Sequence, residues 1–195
     1  EPEKFAEVRD TVYDNIQLPA VVQGYHGPAQ GTDDAYAVEM MSMILSQGNS
    51  SRFQKNIVDK QQKAVYSGAF PMSTEDPGLI LMFGIANMGV DVLDLENSMN
   101  LEVNTMMKEL ISEREFEKLQ NQIENDFIIA NASMAGIAES LSDYYLYYGG
   151  QTNLVNTELD RYLAVTRKDI LVAAKKYLRK ENRVTLHYLP KTDKK

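Results

Sequence analysis

The chain lacks cysteine and tryptophan and has only two histidines, His26 and His187. The absence of cysteine excludes disulfides and thiolate metal sites, but it leaves the compartment open because secreted domains can lack bridges. A catalytic zinc usually takes two histidines and a carboxylate as ligands. Neither histidine has another four residues away, so no helical face offers paired histidine ligands. We therefore expect no metal site and no catalytic residue in this chain.

Long apolar runs and basic stripes are also missing. No run approaches the roughly 18–20 apolar residues that a membrane-spanning helix needs, so we expect no membrane span. The balance of 20 basic and 28 acidic residues gives a net charge of −8, which argues against a nucleic-acid partner. The chain begins at Glu1 without a signal-peptide pattern, and we expect a processed product or an excised domain. The compartment stays unknown, with the periplasm or another bacterial envelope compartment as our expectation.

A composition of 44% hydrophobic and 25% charged residues is typical of a globular protein, and 195 residues fit a single core. We predict one domain over 1–190 and a charged tail over 191–195. Alternation and turn signals predict two short strands within 8–27, then strands near 64–72, 78–88 and 182–189. Helical periodicity predicts helices near 33–47, 51–63, 91–111, 113–131, 134–148, 153–164 and 167–180. This order predicts an α+β domain, with a mostly antiparallel sheet and helices packed on one face.

Several residues carry signals for the start or end of a helix. Thr32 or Asp33 is expected to cap the first helix and Gly48 to take the left-handed conformation after it. Ser50 or Ser51 is expected to cap the second helix. Two further pairs have the spacing of a capping box, Ser112 with Glu115 and Thr166 with Asp169.

The usual catalytic and phosphate-binding motifs are absent. There is no G-x-S-x-G turn, no dinucleotide fingerprint and no Walker loop. Three carboxylate pairs could support acid/base chemistry, namely Asp33-Asp34, Glu75-Asp76 and Glu139 with Asp143. Such pairs are expected by chance among 28 acids. We interpret them as helix N-terminal charge, a turn and a solvated helix face.

Four tyrosines, Tyr144, Tyr145, Tyr147 and Tyr148, lie on about one helical turn. Tyrosine is enriched at interfaces because it buries a large ring while keeping its hydroxyl wet. Two interpretations remain open. The rings either pack inside this domain with their hydroxyls at the rim, or contact a partner domain.

The segment from Tyr25 to Tyr66 is the most informative part of the chain. It contains, in order, Tyr25-His26-Gly27-Pro28, Asp33-Asp34-Ala35-Tyr36-Ala37, Gly48-Asn49-Ser50-Ser51-Arg52-Phe53 and Ala64-Val65-Tyr66. This order resembles the C-terminal, non-metal domain of the pitrilysin/insulinase-type zinc peptidases, which include processing peptidase-like members. The most specific stretch is Gly48 to Phe53, similar to the family's G-x-S-S-R-L/F. The metal motif of these inverzincins, H-x-x-E-H, is absent.

The resemblance implies a role in binding rather than in chemistry. In active members, two such domains in one chain or two enclose a peptide, and the zinc is in the N-terminal one. The C-terminal domain typically supplies an arginine and a tyrosine seven residues apart, which bind the substrate backbone or the oxyanion. Tyr66 matches the tyrosine, so the resemblance implies that Tyr66 binds substrate. Zinc is expected in a homologous partner domain that bears H-x-x-E-H.

The position of the arginine holds Asp59 in this chain. A carboxylate cannot donate to a developing oxyanion and would repel it. Lys60 or Lys63 can supply a charge from nearby, but lysine lacks the planar fork of arginine. The other interpretation of Tyr66 is a strand tyrosine that packs on the helices.

Three hypotheses follow for the function. The chain is the non-catalytic half of a zinc peptidase that closes the chamber and binds peptide; or it is a degenerate relative with a purely structural or assembly role; or it is an unrelated α+β enzyme that uses carboxylates. A partner bearing H-x-x-E-H separates the first from the second. Hydrolysis by this domain that survives a chelator would indicate the third.

Overall fold

The structure, a computed structural model, describes residues 4–191 and is built around a five-stranded sheet. The strands are β1 (Val8–Asp14), β2 (Ala20–His26), β3 (Ala64–Met72), β4 (Leu79–Ala86) and β5 (Arg183–Pro190). Their spatial order is β1-β5-β2-β4-β3. Only the β1–β5 pair is parallel, and the other three are antiparallel. The predicted mostly antiparallel sheet is confirmed, and the closing strand joins the sheet beside β1.

The described chain also contains six α-helices, one π-helix and a short 3₁₀ helix at Lys180–Asn182. The α-helices and the π-helix are α1 (Asp33–Ser46), the π-helix (Phe53–Lys60), α2 (Val92–Lys108), α3 (Glu113–Ala130), α4 (Met134–Tyr147), α5 (Leu154–Ala164) and α6 (Arg167–Tyr177). No helix among residues 4–191 is long and apolar enough to cross a membrane. The predicted charged tail lies outside the described residues except for Lys191, whose N–H donates to the Asp14 carbonyl at 2.8 Å.

The core lies between one face of the sheet and the helices. Along β2 and β4 buried residues alternate with partly exposed ones, as in a sheet with one covered face. Gly84 allows α2 to approach the sheet, since a Cβ there would lie 3.0 Å from Leu95 Cδ2 and from Met99 Sδ. Several methionines fill this core, as their flexible, unbranched side chains allow. The fully buried ones are Met40, Met41, Met82, Met99 and Met106.

Most of the predicted helix ends are confirmed. The Thr32 hydroxyl accepts the N–H of Ala35, and both capping boxes form, Ser112 with Glu115 and Thr166 with Asp169. Gly48 has a φ of +78°, the left-handed conformation that glycine adopts without a steric penalty.

The prediction that Ser50 or Ser51 caps a helix is wrong. Arg52 occupies the cap position in helical geometry and makes no side-chain cap. The Ser51 hydroxyl is enclosed by packing, and the Ser50 hydroxyl accepts a hydrogen bond from Lys118 instead. The helix is also a wide π-helix rather than an α-helix, with the N–H of Gln61 donating to the Asn56 carbonyl at 3.1 Å. It ends three residues before the predicted boundary.

Candidate functional site

The face of the sheet that the helices leave uncovered is largely apolar; we call it the open face. One row of paired positions crosses all five strands and consists of Val8, Val184, Gly24, Leu81 and Phe70. Apolar side chains on this face are exposed by a third to a half. They are Val8, Val12, Tyr66, Phe70, Met72, Leu79 and Val184. A contiguous exposed apolar surface of this kind is typical of a binding site.

Three rings on β3 and β4 form an aromatic cluster on the open face. Tyr66 stacks on Phe83 with ring centroids 5.1 Å apart, and Phe70 meets Phe83 edge-on at 5.6 Å. Gly68 leaves room for the Tyr66 ring, because a Cβ at that position would lie 3.1 Å from the Tyr66 hydroxyl oxygen. Tyr66 is 49% exposed. The structure thus places its ring on the open face and not against the helices.

Asp59 and Lys63 lie on the other side of the sheet from Tyr66. Asp59 is on the π-helix, which packs with α1 and α2, and its carboxylate accepts from Gln54 at 2.8 Å. The Lys63 ammonium donates to the Ser98 hydroxyl at 3.1 Å, so it is directed toward α2. Sequence spacing alone could not show this separation, because a register shift at Val65 intervenes between Ala64 and Tyr66.

The two histidines are far apart. His187 pairs with Val21 in the sheet, and His26 lies five residues further along β2, about 17 Å away at strand spacing. No group of three or more histidine, aspartate or glutamate side chains among residues 4–191 is arranged to hold a metal ion. The described residues therefore do not assemble the ligand set that a catalytic zinc usually takes.

His187 instead belongs to a partly buried ion-pair network between β1, β5 and α2. The Glu96 carboxylate accepts from both guanidinium nitrogens of Arg9, at 2.8 and 2.6 Å, and lies 2.7 Å from His187 Nε2. Burial would raise the pKa of Glu96, but these hydrogen bonds outweigh it and lower the pKa to about 2. Glu7 continues the network by accepting from Arg183 and Thr185, each at 2.8 Å.

Sequence reasoning missed this network. Arg183, Thr185 and His187 share one face of β5, because alternate residues of a strand point to the same side. The partners Glu7 and Glu96 lie 180 and 91 residues before His187, and nothing in the local pattern indicates them. The network fixes β1 to the helical layer.

The motif from Gly48 to Phe53 also has a structural role. Arg52 donates to both oxygens of Glu115, from Nε at 3.0 Å and from Nη2 at 3.2 Å. Glu115 is the glutamate of the α3 capping box, so Arg52 ties the π-helix to the start of α3. Phe53 is fully buried in the core. The motif therefore holds the π-helix, which packs against β3, to the start of α3.

The carboxylate pairs behave as structural groups. Asp34, in the first turn of α1, accepts from Lys176 at 2.5 Å and from Tyr177 at 2.6 Å. Glu139 and Asp143 are exposed on α4. The carboxylates of Asp34, Glu139 and Asp143 therefore lie on helices and not on the open face of the sheet.

A comparison of the sequence with protein-family models identifies the family of this chain. The family model described as the peptidase M16 inactive domain matches residues 1–123. The chain belongs to the peptidase M16 inactive-domain family. The resemblance to zinc peptidases, read from residues 25–66, is confirmed, and so is the non-catalytic class of the domain.

Curated relatives of this M16 inactive domain are named as zinc proteases. It is 26% identical over 179 residues to the zinc protease PqqE of Helicobacter pylori, covering 91% of this chain. It is 22% identical over 150 residues to an uncharacterized zinc protease of Rickettsia felis, covering 76% of this chain. The chain spans only 39% and 36% of the lengths of these two relatives.

Solved structures share the fold of this M16 inactive domain. A protease from Helicobacter pylori matches with a TM-score of 0.90 at 22% identity, over 97% of this chain and 46% of that one. The peptidase M16 inactive domain from Pseudomonas fluorescens matches with a TM-score of 0.83 at 14% identity, over 100% of this chain and 46% of that one. An inactive peptidase domain from Bordetella parapertussis matches with a TM-score of 0.79 at 22% identity, over 94% of this chain and 97% of that one. These neighbours confirm the fold class.

Proposed function

We propose that this domain is the non-catalytic half of a zinc metallopeptidase, which closes the peptide chamber and helps to bind the substrate through its open face. The observation that carries the proposal is the apolar, helix-free face with its aromatic cluster, in a chain whose relatives are named as zinc proteases. In this proposal the zinc is held by a homologous partner domain bearing H-x-x-E-H, in the same polypeptide or in a partner subunit.

The open face suits a peptide better than a small polar ligand. Burying exposed apolar surface contributes about 25 cal/mol per Å², and aromatic contacts add about 0.5–1.5 kcal/mol each. The Tyr66 hydroxyl can donate to a peptide carbonyl while its ring stays on Phe83. The aromatic rings would supply affinity for the peptide, and the Tyr66 hydroxyl would orient its backbone.

The charge at Asp59 limits what this half can do in the reaction. Its carboxylate is on the helical side of the sheet and cannot donate a hydrogen bond to an oxyanion. In this proposal the domain binds and encloses the peptide, and the zinc-bearing half carries out the hydrolysis.

The experiment is a kinetic comparison in the complete assembly, with a peptide as substrate. Tyr66→Phe removes one neutral hydrogen bond, worth about 0.5–1.5 kcal/mol, and is expected to lower kcat/KM by about 2–10-fold. Tyr13→Phe is the matched control, because Tyr13 is 58% exposed on β1 but lies on the other face of the sheet.

The double replacement of Tyr66 and Phe70 by alanine should raise KM further without unfolding the domain. Unchanged kinetics in both variants would show that peptide does not touch the open face. If the zinc-bearing half also proved to be missing, the degenerate structural or assembly role would hold instead.

A further inference from the structure

A polar cleft lies in the helical layer, between the π-helix, α2 and the start of α3. Its volume is about 850 Å³, within the range of about 300–1,000 Å³ that is usual for small-molecule sites. We call it the basic cleft, because its lining contains more cations than carboxylates. The cleft is on the helical side of the sheet, so it is separate from the open face.

The charge of the basic cleft is opposite to that of the whole chain. The lining contains four cations and two carboxylates, which are Arg52, Lys55, Arg114, Lys118, Glu102 and Glu115. The chain as a whole carries a net charge of −8. Charges of one sign gathered in a cleft raise the local concentration of an oppositely charged ligand. The basic cleft is therefore a place where this acidic chain attracts an anion.

Both carboxylates of the basic cleft already have partners in the domain. Glu115 accepts from Arg52 at 3.0 Å and from the Ser112 hydroxyl at 2.9 Å. Glu102 accepts from the Asn56 amide at 2.8 Å and is only 9% exposed. Their acceptor capacity is thus partly used inside the protein.

Two of the cations, in contrast, are unpaired. Among residues 4–191, the Lys55 ammonium and the Arg114 guanidinium make no hydrogen bond or ion pair, and both residues are exposed. Lys118 donates one hydrogen bond, to the Ser50 hydroxyl. A lysine has three donors and an arginine five, so most donors of these three side chains are available to a ligand.

A buried hydroxyl beside the basic cleft also lacks a partner. Ser51 is 3% exposed, and its Oγ makes no hydrogen bond within residues 4–191. It lines a small side cavity that shares Ser50, Glu115 and Lys118 with the basic cleft. Buried polar atoms are nearly always hydrogen-bonded. An acceptor oxygen of a ligand that enters the side cavity would satisfy the Ser51 hydroxyl.

The most specific motif of the sequence builds one wall of the basic cleft. The stretch from Gly48 to Phe53 supplies Ser50 and Arg52, and the π-helix that follows supplies Lys55. π-helical turns are rare and occur frequently at functional sites. The bond between Arg52 and Glu115 joins this wall to α3, so the motif fixes the shape of the cleft.

We infer that the basic cleft binds a compact anion that carries phosphate groups. A phosphate group presents three strong acceptor oxygens and a carboxylate two, so phosphates match the donor-rich lining better than an acidic peptide does. The planar fork of Arg114 can bind two phosphate oxygens at once, and Lys55 and Lys118 add point charges. None of the described residues that line the cleft carries an aromatic ring, so a nucleobase has no stacking partner there. Binding of this anion is independent of the peptide-binding role proposed for the open face.

Isothermal titration calorimetry of this chain with inorganic tripolyphosphate tests the site. The native chain should bind one tripolyphosphate at physiological salt. Replacing both unpaired cations, Lys55→Gln with Arg114→Gln, should weaken the binding by about tenfold or more, because hydrogen bonds to charged groups are the strong ones. The matched control is Lys175→Gln with Arg179→Gln, which removes the same charge at exposed positions that do not line the cleft. This control should change the affinity by less than about twofold, because surface charges outside the cleft are screened by salt.

Three results would overturn the inference. The first is equal weakening in the two double variants, because the net charge of the chain would then decide the binding. The second is no binding of tripolyphosphate to the native chain. The third is tighter binding of hexaglutamate than of tripolyphosphate, which would assign the cleft to an acidic peptide instead.

Vesicles distinguish the two sources of such phosphates. The chain is sedimented with phosphatidylcholine vesicles, with and without cardiolipin, whose headgroup carries two phosphates. Binding to the cardiolipin vesicles that is lost in the Lys55→Gln, Arg114→Gln variant would assign the site to a lipid headgroup. Binding of tripolyphosphate without binding to either vesicle would assign it to a soluble phosphate compound.

Discussion

Replacing Phe53 with alanine is expected to lower the free energy of unfolding of this chain by about 3–5 kcal/mol. Phe53 is fully buried in the core and begins the π-helix. The cavity cannot close easily, because the neighbouring Arg52 is held by Glu115 on α3. Chemical denaturation gives the loss as a lower midpoint with an unchanged slope.

The matched control for this truncation is Phe70→Ala. Phe70 is 37% exposed on the open face, so its removal leaves no sealed cavity and should cost less than about 1.5 kcal/mol. If both variants lost the same stability, Phe53 would not be the core anchor that the structure indicates. Because both variants replace phenylalanine with alanine, the difference in their free energies of unfolding reports the difference in burial.

Replacing Glu96 with glutamine is expected to cost about 1–2 kcal/mol at neutral pH, less than for a fully buried ion pair because solvent screens the Arg9 charge. The change removes the carboxylate that Arg9 and His187 share; Glu96 and His187 are largely buried, whereas Arg9 is 41% exposed and keeps Glu7 as a partner. Glu139→Gln on α4 is the control, because Glu139 is exposed and its replacement should change stability by less than about 0.5 kcal/mol. A Glu96→Gln variant as stable as this control would contradict the role of the network.

The Glu96 contribution should also depend on pH. Its pKa is lowered from 4.5 to about 2 in the folded state, so the carboxylate stabilises the fold above its unfolded pKa. This contribution is lost as the pH falls from about 4.5 through about 2. The stability difference between the native chain and Glu96→Gln should therefore shrink over that range. A constant difference across it would show that Glu96 is not the group responsible.

Local patterns were enough to predict most of the fold. The capping pairs Ser112–Glu115 and Thr166–Asp169 and the alternation in β5 each depend on neighbours within a few residues. The second helix was placed correctly but given the wrong type and the wrong cap. The Arg52 side chain at its start bonds Glu115 on α3, 63 residues further along the chain, and no local pattern indicates that contact.

The candidate site was only partly predictable. Tyr66 was found through a family resemblance, but its face of the sheet depends on the register shift at Val65. Phe83 and Phe70 carried no signal of their own, because aromatic residues in strands are common and only cross-strand pairing brings these rings together.

Photo-crosslinking tests most directly whether the open face holds peptide. The zinc-bearing half of the complete assembly is first inactivated, and a peptide substrate with a benzophenone side chain is then bound. The complex is irradiated, and the crosslinked positions are mapped by mass spectrometry. We expect the crosslinks in this chain to fall on β3 and β4, at or beside Tyr66, Phe70 and Phe83, and to be lost with unlabelled peptide in excess. Crosslinks confined to the helices, or absent from this chain, would contradict a peptide-binding role for the open face.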